Sequence, residues 1–81
     1  MTITVYSKPH CPQCALTKRK LDALSAQYTT IDLTQSMAAL DFIMGLGYRQ
    51  APVVVVRNED SNITDHWSGF RPDRIKKAVG R

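Results

Sequence analysis

Cys11-Pro12-Gln13-Cys14 sets two thiols three positions apart around a proline, a spacing suited to reversible disulfide chemistry. A bridge between such near neighbours closes a very short loop and barely constrains the unfolded chain, so the pair is a poor structural staple. Pro12 suits the first position of a helix, where the N–H it lacks would have found no partner. Cys11 then becomes the capping residue, its sulfur facing the free N–H groups and the positive end of the helix dipole. Those donors favour the thiolate, and Cys11 is expected to titrate at about 7 or below instead of near 8.5. Lys8 adds a nearby cation. Cys14, inside the first turn, is expected to be partly covered and more ordinary. The asymmetry makes Cys11 the nucleophile that forms a mixed disulfide and Cys14 the thiol that resolves it.

Metal binding is the competing use of two cysteines. Zinc asks for four ligands, and His10 and His66 lack the paired spacing of a finger or ribbon, while no second cysteine pair exists. A metal or iron–sulfur module without redox turnover stays open as an alternative, and it requires stoichiometric metal. Otherwise His10 reads as an exposed loop residue and His66 as a strand residue without special duty.

Redox use of Cys11 demands a strand that ends just before it and a helix that starts just after it. Thr2-Ile3-Thr4-Val5-Tyr6 alternates with period two and is rich in β-branched residues, which predicts the strand. From Pro12 to about Ser25, Cys14, Thr17, Leu21 and Leu24 recur at helical spacing and leave Lys18, Arg19 and Asp22 outward. Tyr28 to Leu33 predicts a second strand. Ser36 to Leu46 predicts a second helix with Met37, Leu40, Ile43 and Met44 on its inner side, stopped by Gly47. Such alternation implies a parallel pairing with a right-handed crossover. Val53-Val54-Val55-Val56 has the continuous apolar character of a strand buried on both faces. Ile63 to Trp67 returns as an antiparallel hairpin after the polar connection Arg57 to Asn62. Pro72 opens a last helix with Ile75 and Val79 facing inward. The pattern is α/β, βαβαββα, a four-stranded mixed sheet with three helices in a single domain spanning 1–81.

Composition bounds the partners. The 81 residues carry 43% hydrophobic and 22% charged side chains, ordinary for a globular domain and opposed to disorder. Neither a secretory signal nor a membrane span is visible, so the cytoplasm, where thiols stay reduced, is the expected compartment. Net charge is +4, with clusters at Lys18-Arg19-Lys20 and at Arg74, Lys76, Lys77 and Arg81. No aromatics interleave with them and no recognition motif accompanies them, so they read as solvated helix faces, and an acidic protein is a better partner than nucleic acid. Asn62-Ile63-Thr64 matches a glycosylation acceptor, accidental without a secretion signal. Pro52, at the start of a strand, is tolerated there for lack of a ladder bond to lose, and its isomer does not follow from sequence.

Taken together, Cys11-Pro12-Gln13-Cys14, Gly47-Tyr48-Arg49-Gln50-Ala51-Pro52-Val53-Val54 and Trp67-Ser68-Gly69-Phe70-Arg71-Pro72-Asp73 resemble the NrdH-redoxin family over almost the whole chain. The resemblance implies a thioredoxin/glutaredoxin-like fold. It implies a dithiol that donates electrons to the large subunit of class Ib ribonucleotide reductase and is reduced by thioredoxin reductase, and so indirectly by NADPH. No bound cofactor is implied beyond the Cys11–Cys14 disulfide, and a monomer is expected. Pro52 would be the cis-proline beside the thiols, with the Ala51 backbone free to pair with an extended substrate segment. Lys8, Pro12, Gln13, Ser68, Gly69 and Arg71 would join the partner-binding surface. So would Trp67 and Phe70, against the simpler reading that this aromatic pair closes the core.

Glutaredoxins that use glutathione usually carry Thr-Val before this proline and acidic residues after the glycine. Here Gln50-Ala51 and Phe70-Arg71 stand there, and Arg71 would repel the tripeptide's ammonium. A glutathione-dependent glutaredoxin is therefore the runner-up. Pro12, where valine is more usual, and a longer connection from Arg57 to Thr64 depart from the family pattern.

Overall fold

The computed structural model describes residues 1–80. Its elements are β1 (Thr2–Ser7), α1 (Pro12–Ala23), β2 (Thr29–Asp32), α2 (Met37–Gly45), β3 (Val53–Arg57), β4 (Ile63–Ser68) and α3 (Pro72–Val79). The sheet runs β2-β1-β3-β4. β1 pairs in parallel with β2 and antiparallel with β3, and β3 pairs antiparallel with β4.

Local signals explain where the helices start and stop. Ser36 caps α2 by accepting from Ala39 N at 3.1 Å, a bond whose loss costs about 1 kcal/mol. Gly47 closes that helix at φ +96°, with its own N–H on Met44 O and the N–H of Tyr48 on Ile43 O. α1 closes in the same way through Ser25 at φ +55°, its N–H on Asp22 O and that of Ala26 on Leu21 O.

The run of four valines is buried on both faces of β3 because helices cover both. Val54 and Val56 join Ile3, Val5, Leu21, Trp67 and Ile75 beneath α1 and α3. Val53 and Val55 join Tyr6, Ala39 and Ile43 beneath α2. Each fully buried valine contributes roughly 1.5–3 kcal/mol relative to exposure.

The inner side of α2 differs from the expected one. Ala39 and Ile43 are buried, with Phe42 and Leu46 packed beside them, whereas Met37 is 80% exposed, Met44 47% and Leu40 36%. α2 is apolar almost all round, so spacing fits two stripes equally, and the smaller Ala39 allows the closer approach to β1 and β3. Arg57 lies over the Phe42 ring at 5.3 Å, covering one edge of this layer.

The β3–β4 connection is built on Asn58, whose Oδ1 accepts from Asp60 N and Asn62 N. A bulge between Val56 and Arg57 takes up the extra length. This end of the hairpin is remote from the cysteines along β3, which starts beside Pro52 and ends here.

Candidate active site

β1 delivers the chain through Ser7, Lys8, Pro9 and His10 to the start of α1. His10 adopts φ +57°, turning the backbone into the helix. Cys11 is extended (φ −119°, ψ 99°) and caps α1, with Pro12 in the first helical turn. Its Sγ accepts from the Cys14 N–H at 3.2 Å. A backbone donor thus points at the sulfur where negative charge would develop, at the positive end of a twelve-residue helix. The two cysteines form a disulfide, with Cα atoms 5.2 Å apart. Cys11 is partly exposed and Cys14 is 2% exposed, so an incoming sulfur meets Cys11 first. Lys8, His10 and Lys18 line a groove of about 610 Å³ together with both cysteines, which makes its rim basic.

In the segment leading to β3, the Ala51–Pro52 bond is cis. The turn between β4 and α3 ties this proline to the helix. Gly69 N donates to Pro52 O at 2.9 Å, and Ser68 Oγ lies within hydrogen-bond range of Pro52 O and Gln50 O. Phe70 N donates to Gln13 Oε1 at 3.0 Å, and Arg71 Nε donates to Ser68 O at 3.2 Å. Gly69 has φ +85°, a conformation that calls for glycine, and a Cβ there would sit a tight 3.2 Å from Gln13 Oε1.

The structure thus links Gln13, between the cysteines, through Phe70 and Gly69 to Pro52, with Ser68 bonded to Pro52 and Arg71 to Ser68, while Lys8 and Pro12 line the groove of the cysteines. Trp67 is the exception. It is 2% exposed and packs among Val54, Leu21 and Ile75, so it closes the core and is not a docking surface. The reason is strand pleat: opposite Val54, Trp67 projects to the face covered by α1 and α3. Its Nε1 is buried without a hydrogen-bond partner among the described residues, and Arg74, paired with Asp65, lies 5.3 Å over the ring. Phe70 is half-buried against the same core.

Besides the Gln13 bond to Phe70, a second contact had no sequence signal. The Tyr48 hydroxyl and His66 Nδ1 share a hydrogen bond of 2.7 Å, which ties the segment leading to Pro52 back to β4. His66 therefore has a partner, where sequence suggested an idle strand residue. Among the described residues, no three His, Cys, Asp or Glu side chains converge to hold a metal. No helix there is long and apolar enough to cross a membrane.

A disulfide capping a helix that follows a central strand, with a cis-proline loop bonded to the turn that Gln13 holds, defines a thioredoxin-fold thiol–disulfide oxidoreductase. The glutaredoxin family model matches residues 3–60. The glutaredoxin-like protein NrdH of Salmonella typhimurium is 34% identical over 95% of this chain and 88% of its own. That of Lactococcus lactis subsp. cremoris is 31% identical over 95% of this chain and 99% of its own. The solved structure of Escherichia coli NrdH-redoxin superposes with a TM-score of 0.85 at 34% identity, covering 95% of this chain and 93% of that one. The chain belongs to the glutaredoxin family, among its NrdH-type glutaredoxin-like redox proteins.

Proposed function

We propose that this protein is the electron donor of a ribonucleotide reductase and is itself reduced by thioredoxin reductase with electrons from NADPH. The Cys11 thiolate attacks one sulfur of a disulfide on the large reductase subunit and expels the other as a thiolate. The Cys14 thiolate then attacks Cys11 Sγ, expels the second substrate thiolate and leaves the Cys11–Cys14 disulfide. Two electrons pass to the substrate, and thioredoxin reductase returns two. The chain acts as a monomer in the reducing cytoplasm.

The observation that carries the choice of reductant is Arg71, exposed one residue beyond Phe70 and anchored to Ser68 O. A guanidinium there opposes the ammonium of glutathione, where a carboxylate would attract it. The E. coli relative is described as having a thioredoxin-like activity profile, which agrees. The test is NADPH oxidation with a disulfide substrate, driven either by thioredoxin reductase or by glutathione with glutathione reductase. Turnover with thioredoxin reductase alone is expected. Turnover with glutathione alone would make this a glutathione-dependent glutaredoxin.

A further inference from the structure

Gln13 lies between the two cysteines, on the exposed first turn of α1, where its amide could be taken for a substrate contact. Its acceptor is already committed: Oε1 receives the Phe70 N–H from 57 residues away. The same oxygen would lie 3.2 Å from a Cβ on Gly69, a tight contact. The turn it grips is held on its other side by Pro52, whose carbonyl receives the Gly69 N–H and lies within reach of Ser68 Oγ. Successive amides of one turn therefore bind two different elements, one the redox helix and one the loop that carries the Ala51 edge.

We propose that Gln13 is a positioning residue for protein substrates: by holding the Phe70 amide it fixes the Ala51–Pro52 edge at a set place relative to Cys11. This rests on the reading of the site as one that exchanges disulfides with proteins. An extended protein segment must satisfy two constraints at once, its backbone against the Ala51 edge and its sulfur against Cys11 Sγ. A small disulfide must satisfy only the second. If the turn comes loose, the two constraints lose their common frame, and only the substrate that uses both binds less well.

The experiment compares Gln13→Leu and Gln13→Glu with the unaltered protein, using insulin as a protein disulfide and hydroxyethyl disulfide as a small one. Glutamate keeps an acceptor at the same reach, whereas leucine has none. Gln13→Leu is expected to raise KM for insulin roughly five- to tenfold, as befits one lost hydrogen bond. Its kcat is expected to stay within about twofold and KM for the small disulfide to move much less. Amide exchange at Phe70 should accelerate by about the same factor while that of β3 stays slow. Gln13→Glu should restore both KM and protection. Gln13→Met, close to glutamine in shape but without the acceptor, repeats the test should leucine disturb the helix.

Equal KM changes for both substrates, no change for insulin, or failure of Gln13→Glu to restore it would overturn the proposal. Failure of the unaltered protein to reduce either disulfide would overturn the redox reading itself, an outcome separate from these.

Discussion

Cys14 lies beneath Cys11, its amide donating to the Cys11 sulfur at 3.2 Å while its own sulfur stays almost wholly out of solvent. The order of attack follows from this stacking. Cys14→Ser should trap a mixed disulfide through Cys11, seen as a stable mass adduct that a reductant removes. Cys11→Ser should trap far less, since its remaining thiol is covered. The reverse pattern would exchange the two roles.

Arg71 can be tested by inverting its charge. Arg71→Glu is expected to speed reduction of the Cys11–Cys14 disulfide by glutathione several-fold, on the order of 1 kcal/mol for one exposed charge replaced by its opposite. Stopped-flow reduction at low salt reads it, and the gain should shrink as ionic strength rises. An unchanged rate would remove Arg71 from the argument against glutathione.

Trp67 sits in the core, 2% exposed, its indole N–H without a partner among the described residues. Trp67→Ala should cost about 3–5 kcal/mol in denaturant unfolding. Trp67→Phe should cost much less, about 1–2 kcal/mol, because it keeps an aromatic ring in the core and removes only part of the volume. A side chain that served docking would instead change KM and leave stability alone.

The two stripes of α2 are separable in the same assay. Ile43→Ala, at a buried position, should cost about 2–5 kcal/mol, whereas Met37→Gln and Met44→Gln should stay within about 0.5 kcal/mol. Sequence could not rank the stripes, since both repeat at three and four residues and only packing against β1 and β3 chooses between them. The strands, the helix bounds and the capping role of Cys11 were legible, because period, proline and glycine act locally. The Gln13 bond to Phe70 and the Tyr48 bond to His66 were not. Each joins a polar side chain to a group far along the chain, and nothing in residue type at either end marks the partner.

Asp32 offers a pH test. Hydrogen bonds from the Thr34 side chain and amide, aided by Lys18, hold its carboxyl below the ordinary 3.8. The folded value is depressed, so the stabilisation is present above the unfolded value and lost as pH falls through the folded one. The difference in thermal midpoint between the unaltered protein and Asp32→Ala should be full near neutrality and narrow only in strong acid. A difference independent of pH would assign the effect to the turn and not to the charge.

The four valines of β3 satisfy both layers equally, and that equality has a cost in information. Sliding β3 by one residue would trade one set of valines for the other, so hydrophobicity is nearly silent on where the strand should stop. Polar groups at its two ends must decide: the Pro52 carbonyl, claimed by the Gly69 amide, at one end, and the Val56 carbonyl, approached by the Thr64 hydroxyl beside the bulge, at the other. The first of these clamps also holds the cis-proline edge, so the strand's alignment and the edge proposed to seat a substrate backbone share one anchor.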